Sequence, residues 1–216
     1  MKKVALTCRK LEKAPPYAEA VRAAGIDPVI VTPDDHPGTL AGYDGLLLTG
    51  GTDIDAARYG QMRHPLAEDP DPERDAMEIA YLYEALQRDV PILAICRGLQ
   101  LMNIAHPGGD LLQHIDGHAV RDRDASEPVH EVQIKAGTRL AGIFGAETVA
   151  VNSRHHQAAG RVARRLRQSA VSDDGVIEGL ERPDRRFVIA VQWHPEDQAP
   201  VCARQRRLFD AFAAAL

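Results

Sequence analysis

The chain has 216 residues, 44% of them hydrophobic and 26% charged, and a net charge of −5, proportions that are ordinary for a globular protein. This acidic balance gives no reason to expect nucleic acid or an anionic membrane as a partner, and no apolar stretch approaches the roughly 18 residues of a membrane span. Because the 3 cysteines cannot all pair and the N-terminus lacks a signal core, we expect a reducing, cytoplasmic location.

Short apolar runs alternate with amphipathic segments in the first half of the chain. The runs predict strands at residues 4–7, 28–31, 46–48 and 91–95. Gly25 ends a helix between the first two strands. A longer helix begins after Asp71 as its N-cap, and the spacing of Ile79, Leu82 and Leu86 predicts the face that packs on a sheet. This alternation predicts a parallel sheet with helices on both faces.

The pattern changes after Gly108 to segments that are typical of antiparallel strands. Such strands are predicted at residues 129–134, 148–151, 166–171 and 176–180. A further apolar strand runs from Phe187 towards His194, and a closing helix covers 201–216. We therefore expect an α/β fold with a mostly parallel central sheet and added antiparallel strands, forming a single domain over residues 1–216.

Cys96 directly follows the predicted strand 91–95 and precedes Gly98 and a helix. Strand, tight turn and helix is a layout that presents a nucleophile on a strained elbow. Small Ala94 and Gly98 let the backbone turn sharply, and the helix N-terminus favours the thiolate. This stretch alone is equally compatible with an ordinary buried cysteine, so the interpretation depends on whether the chain supplies a base.

His194 and Glu196 follow the last predicted strand and are two residues apart. Because Pro195 disfavours the helical region for His194, we expect extended backbone, which projects both side chains to the same side. Glu196 can then accept from one ring nitrogen while the other faces Cys96. Although a surface turn explains these residues taken alone, together with Cys96 they match the nucleophile, base and orienter of covalent catalysis.

Five short motifs occur in order along the chain. They are TGGTDID at 49–55, CRGLQ at 96–100, GGDLLQH at 108–114, VNSRHHQ at 151–157 and QWHPE at 192–196. In these motifs the sequence resembles the class I glutamine amidotransferase superfamily, and within it the peptidase branch of γ-glutamyl hydrolases. The resemblance extends over residues 3–212 and implies the flavodoxin-like class I amidotransferase fold.

The resemblance implies an enzyme that hydrolyses γ-glutamyl amide bonds in small metabolites, such as γ-glutamyl-γ-aminobutyrate in putrescine degradation. Cys96 would form a γ-glutamyl thioester, His194 would act as base and then acid, and Glu196 would orient His194. The backbone N–H groups of Gly51 and Arg97 would stabilise the oxyanion. The residues expected to bind substrate are Gly50, Gln100, Ser153, Arg154, His155 and His156.

Several of these residues have a structural alternative. The Gly50–Gly51 pair could simply permit a turn, and Gln100 could be a polar helix residue bonded to backbone. Arg154 stands where relatives often carry an apolar or aromatic residue, which suggests a contact with the carboxylate of an acidic leaving group. The expected partner is a small γ-glutamyl substrate, with no nucleic acid and no membrane, and the family suggests a homodimer.

No cofactor and no metal are expected. The histidines that invite a metal interpretation are His114, His118, His130, His155 and His156. Adjacent residues on a strand point to opposite faces, and no cysteine or carboxylate completes a zinc-like spacing with these histidines. Cys8 and Cys202 are expected to be inert packing residues.

Two other functions stay open at this point. One is a glutaminase subunit that passes ammonia to a partner synthetase, although no synthetase domain is attached. The other is a non-catalytic binding or sensory module, which the presence of Cys96, His194 and Glu196 together argues against. An enzyme should show activity that rises with ionisation of the Cys96–His194 pair.

Overall fold

A single twisted sheet of 11 strands organises the molecule, and the computed structural model describes residues 1–216. The strands are β1 (Lys3–Thr7), β2 (Asp27–Val31), β3 (Gly45–Leu48), β4 (Ile92–Ile95), β5 (Leu111–Leu112), β6 (His130–Ile134), β7 (Thr148–Val151), β8 (Ala158–Ala159), β9 (Arg167–Ser172), β10 (Ile177–Glu181) and β11 (Val188–Val191). The helices are α1 (Pro15–Ala23), α2 (Pro72–Gln87), α3 (Arg97–Ile104), α4 (Arg139–Phe144), α5 (Pro195–Gln198) and α6 (Ala203–Ala215).

The strand order is β2-β1-β3-β4-β11-β10-β9-β6-β7, with β5 and β8 paired beside β10. The first five strands run parallel, and every pairing from β11 to β7 is antiparallel. The predicted fold class is therefore confirmed. Strands β3, β4 and β11 are buried along their whole length, which explains why their sequences are continuous apolar runs without alternation.

Two apolar layers cover the parallel part of the sheet. Leu47 and Leu93 face the layer that contains α1 and α6, whereas Leu46 and Ile92 face the layer of α2 and α3. This alternation follows from the period of two in a strand. The carboxyl ends of β3, β4 and β11 meet at one edge of the sheet, which is where ligands bind in open α/β folds. No helix is both long and apolar enough to cross a membrane.

The inner face of α2 differs from the prediction. Leu82 and Leu86 are buried as expected, but Ile79 is only half-buried. The first turns of the helix instead bury the charged residues Arg74, Asp75 and Glu78 (the latter two 0% exposed). Burial of charge at this depth requires partners, and these lie at the edge of the sheet described above.

The predicted extended backbone at residues 194–196 is wrong. The chain enters the one-turn helix α5 at Pro195, whose fixed φ suits the first helical position. His194 is the residue that precedes this helix, with φ −108° and ψ 83°, and Glu196 lies in its first turn. The two side chains nevertheless meet, because a residue before a helix can contact a side chain in the first turn.

Candidate active site

Cys96 lies on a strained elbow between β4 and α3, with φ 54° and ψ −107°. A positive φ is costly for a residue with a Cβ, of the order of 1–3 kcal/mol, and persists only where the surroundings enforce it. The Cys96 N–H donates to Val191 O of β11 at 2.8 Å. Gly98 lies so close to β3 that an added Cβ would be 2.6 Å from Leu48 O. The elbow is therefore locked by both neighbouring strands.

His194 faces Cys96 and is fixed on its other side by Glu196. Its Nδ1 lies 2.6 Å from Glu196 Oε1, which leaves Nε2 free, and the ring lines the same cavity as Cys96. Asn152 holds the backbone of His194 in both directions: it accepts from His194 N at 2.8 Å and donates to His194 O at 2.9 Å. The fold thus brings Cys96, His194 and Glu196 to one place, and their catalytic roles stay a prediction.

The electrostatics around His194 favour its charged form. Burial by itself lowers the pKa of His194, but the charges of Glu196 and Cys96 outweigh it and hold the pKa well above the usual value. Tyr17 packs against the same ring, with its hydroxyl 3.3 Å from His194 Nδ1. Burial is the largest cause that raises the pKa of Tyr17 well above its usual value, and the charges of Glu196 and Cys96 add to it. The phenol therefore stays neutral.

The loop after β3 is held from behind by Arg74. Its Nη2 donates to Gly50 O at 3.0 Å and to Thr49 O at 3.1 Å. A trans peptide points its C=O and N–H in opposite directions, so the Gly51 N–H is directed away from the Arg74 atom that binds Gly50 O. The Gly50 N–H donates to the Tyr17 hydroxyl at 3.1 Å, whereas the Gly51 N–H has no acceptor within the protein and belongs to a residue that lines the cavity.

Arg97 supplies the second candidate donor through its backbone at the start of α3, where an N–H has no intrahelical acceptor. Its side chain has a separate structural role. The guanidinium forms ion pairs with Asp75 and Glu78 of α2 and donates to Thr52 O at 2.9 Å. Because Glu78 also pairs with Arg74 at 2.8 Å, one buried network joins α2, the elbow and the loop after β3.

A cavity of about 530 Å³ opens over Cys96 and His194. Its lining is rich in charge: the cationic residues are Arg9, Lys10, Lys13, Arg74, Arg121 and Arg154, and the acidic ones are Glu12, Glu68, Glu196 and Asp197. Arg154 lies 3.5 Å from Asp197. Burial, and then the nearby charge of Glu196, raise the pKa of Asp197 to about 6. The wall beside the catalytic pair is therefore polar and partly desolvated.

Among the residues expected to bind substrate, Gly50 and Arg154 line this cavity and the others do not. The Gln100 amide nitrogen donates to Gln157 O at 3.0 Å and to Gln192 Oε1 at 3.3 Å. After the tight turn at Cys96 the helix runs away from the cavity. A contact of Gln100 with the substrate therefore stays a prediction, for which the side-chain carbonyl oxygen of Gln100 is the group left free.

For Ser153 and His155 the resemblance implies main-chain contacts with the substrate, and these stay a prediction, as does a substrate contact of His156. Ser153 and His155 are buried behind the cavity wall, and His156 lies on the opposite side, 3.1 Å from Asp53. Adjacent residues therefore point to opposite faces, as the sequence predicted. The argument that no carboxylate accompanies the histidines fails, however, because Glu178 of β10 lies beside His118, His130 and His155.

Sequence reasoning missed four residues around Cys96 and His194: Tyr17, Arg74, Asn152 and Asp197. Asn152 stands inside the 151–157 motif and Asp197 directly follows the last motif, so their positions carried a signal. Arg74 and Glu78 are four residues apart on the predicted inner side of α2, where charge is unexpected unless it is paired. Tyr17 gives no signal, since an aromatic residue on an amphipathic helix is usually a packing residue.

The chain is similar to known proteins over most of its length. Residues 3–196 match the Peptidase C26 family. The chain is 42% identical over 207 residues to a Mycobacterium tuberculosis protein provisionally named a glutamine amidotransferase, covering 90% of this chain but 66% of that protein. It is 35% identical over 187 residues to the γ-glutamyl-γ-aminobutyrate hydrolase PuuD of Escherichia coli, covering 82% and 73% of the two chains.

Solved structures show the same fold. The crystal structure of a glutamine amidotransferase from Methylobacillus flagellatus superposes with a TM-score of 0.75, over 100% of this chain and 96% of that one. The two sequences are only 12% identical, so this likeness concerns the arrangement of strands and helices alone.

Proposed function

Because the chain belongs to the Peptidase C26 family, we propose that it is a cysteine-dependent hydrolase of γ-glutamyl amide bonds in small metabolites. The observation that carries the proposal is the placement of one imidazole, His194, which is paired with Glu196 and lines the same cavity as Cys96 at the carboxyl edge of the sheet. The positive φ of Cys96 supports it further, because backbone strain of this kind is characteristic of an exposed nucleophile.

In the first half of the reaction, the Cys96 sulfur attacks the γ-carbonyl carbon of the substrate while His194 holds the thiol proton. The developing oxyanion accepts hydrogen bonds from the backbone N–H groups of Gly51 and Arg97. The C–N bond then breaks, and His194 gives its proton to the leaving amine. The products are the free amine and a γ-glutamyl thioester on Cys96.

In the second half, water attacks the thioester carbonyl and His194 accepts a proton from it. The same two N–H groups stabilise the second oxyanion, and the C–S bond breaks to release glutamate. The proton on His194 returns to the thiolate. Glu196 keeps the imidazole in one orientation and stabilises its charged form in both halves, and Asn152 fixes the backbone from which the ring projects.

The cavity supports a leaving group that carries a carboxylate. Arg154 has 39% of its side chain exposed and only a long contact with Asp197, so its guanidinium can pair with a ligand anion. Arg121 and Lys13 line the same cavity. γ-Glutamyl-γ-aminobutyrate has such a leaving group, and its hydrolase in E. coli is among the relatives of this chain. We therefore propose this compound as the first substrate to test.

The test is a screen of purified protein against γ-glutamyl-γ-aminobutyrate, γ-glutamyl peptides, folate polyglutamates and free glutamine, with glutamate release as the readout. Wild-type protein should hydrolyse at least one γ-glutamyl amide, Cys96→Ala should be inactive, and Cys202→Ala, at a cysteine that does not line the cavity, should retain activity. Negligible activity on every γ-glutamyl amide, with glutaminase activity only in the presence of a co-purifying synthetase, would instead identify an ammonia-supplying subunit.

A further inference from the structure

A cluster of three imidazoles and one carboxylate lies in the antiparallel half of the sheet, apart from the cavity. Glu178 projects from β10, His130 from β6, His155 from the segment between β7 and β8, and His118 from the loop after β5. Glu178 is 0% exposed and His118 and His155 are almost fully buried. None of the four lines the cavity over Cys96, and the proposed hydrolysis uses none of them.

Each of the three rings has one nitrogen committed to an acceptor. His118 Nε2 lies 2.9 Å from Asp174 Oδ2, His130 Nδ1 3.1 Å from Glu131 O, and His155 Nδ1 3.0 Å from Gln157 O. Carboxylate and carbonyl oxygens can only accept, so each ring donates its N–H there. In the neutral form of each ring the remaining nitrogen would present a lone pair, which is the arrangement found in histidines that bind metals.

These three nitrogens converge on a single oxygen. Glu178 Oε1 lies 3.5 Å from His118 Nδ1, 3.5 Å from His155 Nε2 and 3.7 Å from His130 Nε2. Separations of this size are too long for N–H···O hydrogen bonds. Neither oxygen of Glu178 has a hydrogen-bond partner, and His130 Nε2 has none either. A buried carboxylate without donors is costly and requires a compensating positive charge.

Ser153 does not supply the missing donor. Its hydroxyl lies 3.2 Å from both His118 Nδ1 and His155 Nε2. However, its only hydrogen is donated to His118 O, at 2.8 Å, so Ser153 Oγ presents further lone pairs to the two rings. The centre of the cluster is thus surrounded by acceptors alone.

We propose that His118, His130, His155 and Glu178 form a binding site for a divalent transition metal, with Zn²⁺ as the preferred ion. Zinc binds imidazole nitrogen and carboxylate oxygen at about 2.0–2.2 Å, and tetrahedral geometry then separates neighbouring donor atoms by about 3.3–3.5 Å. The separations from Glu178 Oε1 are close to this value, and the donor atoms of His118, His130 and Glu178 all lie within 4.8 Å of one another. His155 stands outside that group and would move inward on binding, so that the protein would then fill all four positions, as in a structural zinc site.

The consequence of binding would be a fixed wall for the substrate cavity. His118 lies shortly before Arg121 in the chain, and His155 directly follows Arg154. Both arginines line the cavity. The two segments are joined by hydrogen bonds from His155 N to His118 O and from Val120 N to Ser153 O, each 3.1 Å long. A metal bound to His118 and His155 would tie these segments to β6 and β10, independently of whether the enzyme hydrolyses γ-glutamyl amides.

The first experiment uses the wild-type chain without any substitution. Protein freed of metal with a chelator is titrated with Zn²⁺ against a chromophoric competitor, and separately with Co²⁺. We expect one tightly bound Zn²⁺ per chain, a higher melting temperature with Zn²⁺, and the intense visible absorption of four-coordinate Co²⁺. Weak binding without a change in melting temperature, or the faint spectrum of six-coordinate Co²⁺, would overturn the proposal.

Substitutions then locate the ion. His130→Gln, at the partly exposed edge of the cluster, should weaken Zn²⁺ binding by more than 100-fold, and Asp174→Asn, which removes an outer partner, by roughly 10- to 100-fold. His114→Ala is the matched control, because His114 stacks on His64 outside the cluster and its loss should leave Zn²⁺ affinity unchanged. Equal affinity in His130→Gln and wild type, or equal loss in His114→Ala, would refute the assignment.

Discussion

Replacement of Arg74 by methionine tests how Arg74 holds the loop after β3, whose Gly51 N–H is a proposed oxyanion donor. Methionine preserves much of the buried volume but removes the donors to Thr49 O and Gly50 O. It also breaks the ion pair of Arg74 with Glu78, in which both side chains are almost fully buried. The variant should therefore lose stability and, separately, lose the alignment of the Gly51 N–H.

The magnitudes of the two effects can be worked out from these contacts. Removing one partner of a buried ion pair costs about 3–5 kcal/mol, which corresponds to a fall of about 6–20 °C in melting temperature for a protein of this size. Glu78 keeps its contacts with Arg97 and with Thr7, so we expect the lower end of that range. Loss of one oxyanion donor reduces kcat by about 100- to 1,000-fold.

The assay is steady-state hydrolysis of the best γ-glutamyl substrate well below the melting temperature of each variant. Leu82→Ala is the matched control, since Leu82 is fully buried on the same helix and its truncation costs about 2–5 kcal/mol without touching the loop. We expect kcat to collapse in Arg74→Met and to stay within a few fold of wild type in Leu82→Ala. Similar kcat values in both variants would refute the proposed role of Arg74.

Three further predictions concern charges around the site. In Glu196→Gln the largest charge that raises the pKa of His194 is gone, so the alkaline limb of kcat/KM should move to lower pH; an unmoved limb would contradict this. Burial raises the pKa of Asp197 to about 6. Because the folded state then binds this proton more tightly than the unfolded state, the folded protein loses stability as pH rises from about 4 to 6. With a discount for partial exposure, the free energy of unfolding of Asp197→Asn, relative to wild type, should be about 1 kcal/mol higher at pH 7 than at pH 4. Urea unfolding measures this difference, and a value that does not change with pH would count against the prediction. Arg154→Ala should lower kcat/KM roughly 10- to 100-fold for γ-glutamyl-γ-aminobutyrate but little for neutral γ-glutamyl amides, whereas equal losses would remove Arg154 from specificity.

The sequence predicted the parts of the site that depend on local order. Cys96 follows a buried strand directly and Gly98 follows it closely, so the elbow was recognisable from spacing alone. His194 and Glu196 were paired correctly, although the reason given was wrong. Pro195 was taken to enforce extended backbone, but proline is equally suited to begin a helix. Because His194 and Glu196 are only two residues apart, their side chains can meet in either conformation.

Contacts between distant segments could not be predicted in the same way. The spacing places Arg74 and Glu78 on the inner side of α2, but nothing local indicated that Arg97 of another helix is the partner of Glu78. The same holds for Glu178, whose histidine neighbours come from three other segments and meet only through the pairing of β6, β9 and β10. Spacing along the chain excluded a metal there, whereas the folded arrangement of acceptors favours one.

The central claim is that the Cys96 sulfur carries the γ-glutamyl group, and alkylation tests it most directly. Purified protein is treated with limiting iodoacetamide, with and without γ-glutamyl substrate, and the labelled fraction of each cysteine is compared with residual activity. The account predicts that activity falls in proportion to labelling of Cys96, that substrate protects Cys96, and that Cys8, whose pKa burial raises, reacts far more slowly. Full turnover by protein whose Cys96 is completely alkylated would contradict it.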